Sequence, residues 1–125
     1  MTTPLVALVD DDASVRKGLT RLLESTGLEV IAFASAAEFL DAGLPKAPEC
    51  LVLDIHLGGM SGLELLAHLR SAGDDLPTVL ITAHDDLQNR EQAAQSGCTA
   101  YLLKPLDAPV FLKEVFGAMN REVPL

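Results

Sequence analysis

Basic residues are scarce in this chain. Nine lysines and arginines face eighteen aspartates and glutamates, for a net charge of −9, so the stretch is a poor match for nucleic acid and no nucleic-acid binding is expected of it. Cysteine is scarcer still. Cys50 and Cys98 are the only two, neither belongs to a CxxC or a Cys/His cluster, and no zinc site is indicated. They read as small buried or half-buried thiols in a reducing compartment. No apolar run approaches the length that crosses a bilayer, and Met1-Thr2-Thr3-Pro4 lacks the basic n-region of a signal peptide. No membrane association is expected, and the cytoplasm is the expected compartment. Repeats, low-complexity tracts and internal linkers are also missing, so residues 1–125 are expected to close one domain around a central sheet.

What is present is an alternation of two periods. Leu5 to Val9 is a short β-rich run that ends in Asp10-Asp11-Asp12. From Ala13 the spacing turns helical, with Val15, Leu19, Leu22 and Leu23 on one face and Gly27 at a plausible C′ position. Leu28 to Phe33 is a second β-run, and Ser35-Ala36-Ala37-Glu38 fits a capping box that opens a short helix to about Ala42. After a loop with Pro45 and Pro48 comes Leu51-Val52-Leu53-Asp54-Ile55, almost wholly apolar, the pattern of a strand buried on both faces. Ser61-Gly62-Leu63-Glu64 is a second capping-box match, and Leu65, Leu66 and Leu69 give the helix behind it a buried stripe. Pro77 to Thr82 is a fourth strand. Asp86 to Ser96 is a weakly apolar helix in which only Leu87, Ala93 and Ala94 are expected to face inward, so it should be the least firmly held. Ala100 to Leu103 is a fifth strand, stopped by Lys104-Pro105. Asp107 is placed to cap a last helix, Pro109 to sit in its first turn, and Phe111, Val115, Phe116 and Met119 to bury it. Five β-runs alternating with five helical patterns argue an α/β domain with a parallel sheet and right-handed crossovers. Alternation leaves the strand order open.

The polar residues that do not suit a core recur at one kind of place. Asp10 and Asp11 follow the first strand, Asp54 ends the third, Thr82 ends the fourth and Lys104 follows the fifth. In an open parallel sheet all the carboxyl ends lie along one edge, where ligands bind. A carboxylate such as Asp54 is costly to desolvate unless it is paired or bound to metal; the bland alternative is a helix cap or a lone ion pair. Two charges ~4 Å apart at an effective dielectric of ~20 repel by roughly 4 kcal/mol. Lys104 supplies one positive charge against three carboxylates, and a hard divalent ion would supply the rest. A metal with open positions, a lysine and a hydroxyl suit a phosphoryl group, and a central carboxylate can itself be the nucleophile, giving an aspartyl phosphate.

Over essentially its whole length the chain resembles the receiver domain of two-component response regulators. The resemblance rests on Val9-Asp10-Asp11, Leu53-Asp54-Ile55, Met60-Ser61-Gly62, Ile81-Thr82-Ala83 and Tyr101-Leu102-Leu103-Lys104-Pro105. Gly62-Leu63-Glu64 and Ile81-Thr82-Ala83-His84 are most similar to receivers of the nitrogen-fixation transcription-regulator type. It implies a flavodoxin-like, doubly wound (βα)5 fold with strand order 2-1-3-4-5. It also implies that Asp54 accepts a phosphoryl group from the phosphohistidine of a sensor histidine kinase or a histidine phosphotransfer protein. Asp11, Asp54 and the His56 backbone carbonyl would ligate Mg²⁺, with Asp10 acting through a water. Lys104 would pair with the acceptor and then with the phosphoryl oxygens. Thr82 would move to the phosphoryl group, and Tyr101 would turn into the space it leaves. Lys104-Pro105 would be a cis peptide. Such a protein is a stoichiometric phosphoacceptor that catalyses its own phosphorylation and dephosphorylation, and phosphorylation would switch the surface of the fourth helix, fifth strand and fifth helix for partner binding. In the implied order, one strand separates those flanked by Cys50 and Cys98. That spacing of ~9–10 Å is too great for a disulfide.

The chain departs from the family pattern in places. Leu57-Gly58 stands where receivers usually carry Met-Pro, which puts the His56 carbonyl position in question. Leu106 replaces a common aromatic. Thr99-Ala100 replaces the acidic pair on which one subfamily's dimer salt bridges depend, so a phosphorylation-dependent homodimer stays open. His56 and His84 read either as exposed loop histidines or as residues bordering the phosphoryl site. His68 reads as surface, and Asp12 as a helix cap rather than a third ligand. Tyr101 is either a switch residue or an ordinary strand aromatic. Two rival readings stand beside the phosphoacceptor. One is a pseudo-receiver that works by protein contact alone. The other is a phosphatase similar to the haloacid dehalogenases, a family that wants a second Asp where this chain has His56. No helix-turn-helix or catalytic domain follows within the sequence, so the expectation is either a stand-alone regulator with an unknown output partner or a receiver cut from a larger protein, its output domain missing.

Overall fold

The computed structural model describes residues 3–124. Strands and helices alternate strictly: β1 (Leu5–Val9), α1 (Ala13–Glu24), β2 (Glu29–Phe33), α2 (Ala36–Asp41), β3 (Cys50–Asp54), α3 (Gly62–Ser71), β4 (Thr78–Thr82), α4 (Leu87–Gln95), β5 (Ala100–Leu103) and α5 (Ala108–Ala118). All strand pairs are parallel, in the order β2-β1-β3-β4-β5. The expected α/β class and order are therefore the observed ones. The order in which strands are added to the sheet reverses between β1 and β3, and the crevice opens there.

The sheet divides the core in two because successive side chains on a strand point to opposite faces. Ala7, Val9, Leu51, Leu53 and Leu80 meet Ala36 and Phe39 of α2, Leu65, Leu66 and Leu69 of α3, and Ala93 of α4. Val6, Leu8, Val52, Val79 and Ile81 meet Leu19 and Leu23 of α1 and Phe111, Val115 and Phe116 of α5. The three middle strands are buried on both faces, as their unbroken apolar runs imply.

Caps set the helix starts. Asp12 accepts from Ser14 N–H and Val15 N–H at 2.8 and 3.3 Å, Asp107 accepts from Val110 N–H, and Ser61 and Glu64 exchange both bonds of a capping box. At Ser35 the box is only half made. Ser35 Oγ accepts from Glu38 N–H, but Glu38 reaches one residue further back, to Ala34 N–H. α1 ends at Glu24 with Ser25 as its cap, so Gly27, with φ +92°, lies two positions past the cap rather than at C′.

The inward face of α4 also differs from expectation. Leu87 is 71% exposed and Ala94 is exposed; the buried residues are Ala93 and Asn89. Leu87 is the first helical residue after the Asp86 cap, and the next inward position one turn on from Asn89 is Ala93. A polar side chain therefore occupies the place where an apolar stripe would have been read.

Candidate functional site

Parallel register brings the ends of β1, β3 and β4 level. Val9 pairs with Leu53, Asp54 with Ile81, and Thr82 with Leu103. Asp10 follows directly on β1, with its N–H on the Phe33 carbonyl at 3.1 Å, and Lys104 follows β5, with its N–H on the Thr82 carbonyl at 2.8 Å. The residues expected at the carboxyl edge are thus delivered to it by backbone pairing alone.

Their side chains converge. Lys104 Nζ donates to Asp10 Oδ2 at 2.8 Å and to Asp54 Oδ2 at 3.0 Å, bridging residues 94 and 50 positions away in the chain. Asp10 is wholly buried and Asp54 nearly so, whereas Asp11 is exposed. The other oxygens are also engaged: Asp10 Oδ1 accepts from Asp12 N–H and Asp54 Oδ1 from His56 N–H, both at 2.9 Å. Burial pushes the Asp54 carboxyl above its usual range. The bonds from His56 and Lys104 pull it back, and the Asp10 charge adds to the rise. At Lys104 burial works against the charge, but the bonds to Asp10 and Asp54 outweigh it and the ammonium is held above its ordinary value.

Asp10, Asp11 and Asp54 each offer a carboxylate oxygen within 4.8 Å of the others. One ammonium against three carboxylates leaves a surplus of negative charge, and oxygen-only donors of this kind suit a hard divalent cation. Asp12 stands apart from the group, committed to the start of α1.

Thr82 is buried beside this cluster. Its Oγ1 accepts from His84 N–H at 3.0 Å and donates to the His84 carbonyl at 3.3 Å. The hydroxyl is thus folded onto its own loop rather than onto Asp54. Tyr101 is half-buried against the α2–α3–α4 side of the core, and its hydroxyl is shielded from solvent with no hydrogen-bond partner among the described residues. Burial, then the Asp85 charge, raises its pKa. The Lys104–Pro105 peptide is cis. His56 and His84 are exposed, yet their rings meet edge to face with centroids 4.4 Å apart. His68 is exposed on α3.

Three residues with no assigned part in the sequence reading shape the site. Arg16 Nη1 donates to the Asp10 carbonyl at 2.7 Å and ties α1 to the acidic loop. Nothing in its spacing sets it apart from Lys17. Gly62, noted only as part of a motif, lies against the backbone of Asp54; its place at the first position of a capped helix was the available signal. Asn89 reaches from α4 to both histidines, and its position one turn before Ala93 was the only clue.

The cysteines are both free. Cys50 is buried in β3, and burial pushes its thiol up to about 12, far from the range of a reactive thiolate.

Comparison with known proteins agrees with this fold. The model of the response regulator receiver domain family matches residues 6–116. Nodulation protein W of Bradyrhizobium diazoefficiens is 39% identical over 121 residues, which cover 97% of this chain and 53% of that protein. The transcriptional regulatory protein FixJ of Azorhizobium caulinodans is 40% identical over 116 residues, covering 93% and 55% respectively. This chain thus spans about half the length of these curated relatives. Among solved structures, a response regulator receiver protein from Burkholderia phymatum superposes with a TM-score of 0.86 at 40% identity, covering 98% of this chain and all of that one.

Proposed function

Because this chain belongs to the response regulator receiver domain family of two-component systems, we propose that Asp54 is its phosphoacceptor and that phosphorylation there switches the surface formed by α4, β5 and α5. The observation that carries the reading is the Lys104 ammonium bridging two buried carboxylates, Asp10 and Asp54, at the edge where Thr82 also ends. Burying an ammonium and two carboxylates at one edge is costly, and the middle strands of the sheet already bury apolar residues on both faces.

In the transfer, an Asp54 carboxylate oxygen attacks the phosphorus of a phosphohistidine on a sensor histidine kinase or a histidine phosphotransfer protein. A P–O bond forms as the P–N bond breaks, and the imidazole leaves. Lys104, already within bonding distance of Asp54, follows the charge onto a phosphoryl oxygen. The Thr82 hydroxyl gives up His84 and turns to another. Asp11, Asp54 and the His56 backbone carbonyl would hold Mg²⁺, with Asp10 acting through a water, and the ion would neutralise the charge on the transferring group. Tyr101, its hydroxyl unpaired and its ring half-buried, would move further into the space Thr82 leaves.

The output would be read at α4, β5 and α5, each of which carries an exposed large apolar residue: Leu87, Leu103 and Val110. A partner protein, an output domain or a second phosphorylated copy would cover them. Intact-mass measurement with Mg²⁺ and a small-molecule phosphodonor tests the reading. One phosphoryl group should add to the wild type, and none to Asp54→Asn or in the absence of Mg²⁺. No adduct, together with no beryllofluoride complex, would instead mark a protein that works by contact alone.

A further inference from the structure

Five polar residues are buried among the described residues: Asp10, Asp54, Thr78, Thr82 and Asn89. Three belong to the phosphoryl site, and Thr78 returns its hydroxyl to the Leu76 carbonyl two residues back. Asn89 alone is left without a role. It sits in the first turn of α4, with its backbone N–H on the Asp86 cap at 2.7 Å. A buried amide on a helix that otherwise buries only Ala93 calls for a reason.

Its contacts supply one. Nδ2 lies 3.1 Å from the His84 carbonyl oxygen and 3.2 Å from His56 Nε2. A carbonyl oxygen only accepts, so the group facing it is the NH2, and that group's second N–H faces His56. His56 Nε2 must then accept, which places the ring proton on Nδ1. The His84 carbonyl that Asn89 holds is also the one that takes the Thr82 hydroxyl, and His56 N–H is the donor to Asp54 Oδ1. The chain of contacts runs from Asp54 through His56, Asn89 and His84 to Thr82, and Asn89 is the only member that lies on α4.

We propose that Asn89 is a positioning residue that registers α4 against the phosphoryl site in the unphosphorylated form, holding the His56 ring in one tautomer and sharing the His84 carbonyl with Thr82. This rests on the phosphoacceptor reading above. When Thr82 leaves His84 for a phosphoryl oxygen, the His84 carbonyl loses one of its two donors, the loop that Asn89 grips loosens, and α4 is released at its first turn. The helix moves because its polar anchor is shared with the switch hydroxyl, and it has little apolar surface to hold it otherwise.

The test compares wild type, Asn89→Ala and Ala93→Gly. Ala93→Gly loosens the same helix but keeps the amide. In the unphosphorylated proteins, nitrogen-resolved NMR of the imidazoles at mildly alkaline pH should show His56 as the Nδ1–H tautomer in wild type and Ala93→Gly. In Asn89→Ala it should move toward Nε2–H. In Mg²⁺, beryllofluoride should bind Asn89→Ala about fivefold more tightly than wild type, the equivalent of one net hydrogen bond lost from the resting form, and more tightly than it binds Ala93→Gly. An unchanged His56 tautomer in Asn89→Ala would overturn the proposal, as would equal gains in affinity for the two variants. If none of the three bound beryllofluoride, the phosphoacceptor reading and the coupling to Thr82 would both fall. The tautomers would still decide whether Asn89 holds His56.

Discussion

An ideal Cβ built on Gly62 would lie 2.1 Å from the Asp54 carbonyl oxygen and 2.9 Å from both the Asp54 carbonyl carbon and Ile55 Cα. All three are backbone atoms, so no side chain can swing away to make room. The Gly62 N–H meanwhile donates to the Ile55 carbonyl at 2.9 Å, pinning the start of α3 to the end of β3. Two effects of Gly62→Ala oppose each other. Helix propensity favours alanine by about 1 kcal/mol, while forcing a methyl into packed backbone costs typically 1–3 kcal/mol or more. At 2.1 Å the clash wins. Gly62→Ala is expected to lower the urea midpoint of unfolding by the equivalent of about 1–2 kcal/mol. A midpoint equal to or above wild type would show that the two backbones are not in this close approach.

At the scale of the element, legibility followed the size of the buried apolar face. β1, β3 and β4 could be read almost residue by residue because short apolar runs such as Leu51-Val52-Leu53, set between turn residues, suit a doubly covered strand. Ends that carry a motif were equally plain, since Asp10, Asp54, Thr82 and Lys104 all fall where a parallel sheet brings its carboxyl ends together. α4 could not be read this way. Its inner face is an amide and a methyl, and hydrophobic periodicity has no means of recording Asn89. The contacts between loops, His56 with His84 and Asn89 with both, were equally invisible, because each depends on a spatial neighbour from another crossover. Polar ties hold this helix at both ends: Asn89 at the first turn, and Arg70 of α3, which donates from Nη2 to the Gly97 carbonyl at 3.2 Å just past the last turn. Hydrogen bonds open more readily than a packed apolar face. Native-state hydrogen exchange should therefore show residues 87–95 of α4 opening locally, well before the α5 amides around Phe111, Val115 and Phe116, which lie in the core. Equal protection of the two helices would mean that α4 opens only when the whole molecule unfolds, and would deny it a role as the moving part.

For the whole molecule, the site at the strand ends is a source of instability that a ligand should relieve. Asp10, Asp11 and Asp54 crowd one edge, where Lys104 is the one cation paired with their carboxylates among the described residues. The raised pKa of Asp54, caused first by burial, shows that holding its ionised form there has a cost. A cation that binds the folded form and not the unfolded chain stabilises by mass action, by about 2.7 kcal/mol at a hundredfold excess over Kd. For a domain of this length that corresponds to a Tm rise of roughly 10 °C. On the reading that Asp11 is a ligand, Asp11→Asn should behave in two opposite ways. Without Mg²⁺ it should melt at or slightly above the wild-type Tm, because one of three like charges has gone and this exposed side chain supports no packing. With Mg²⁺ it should melt well below wild type, because most of the metal-dependent gain has gone with it. The two melting curves would thus change order on adding the ion. Parallel shifts in the two proteins would place the ion elsewhere, and a variant less stable than wild type in both conditions would mean that Asp11 serves the fold rather than the metal.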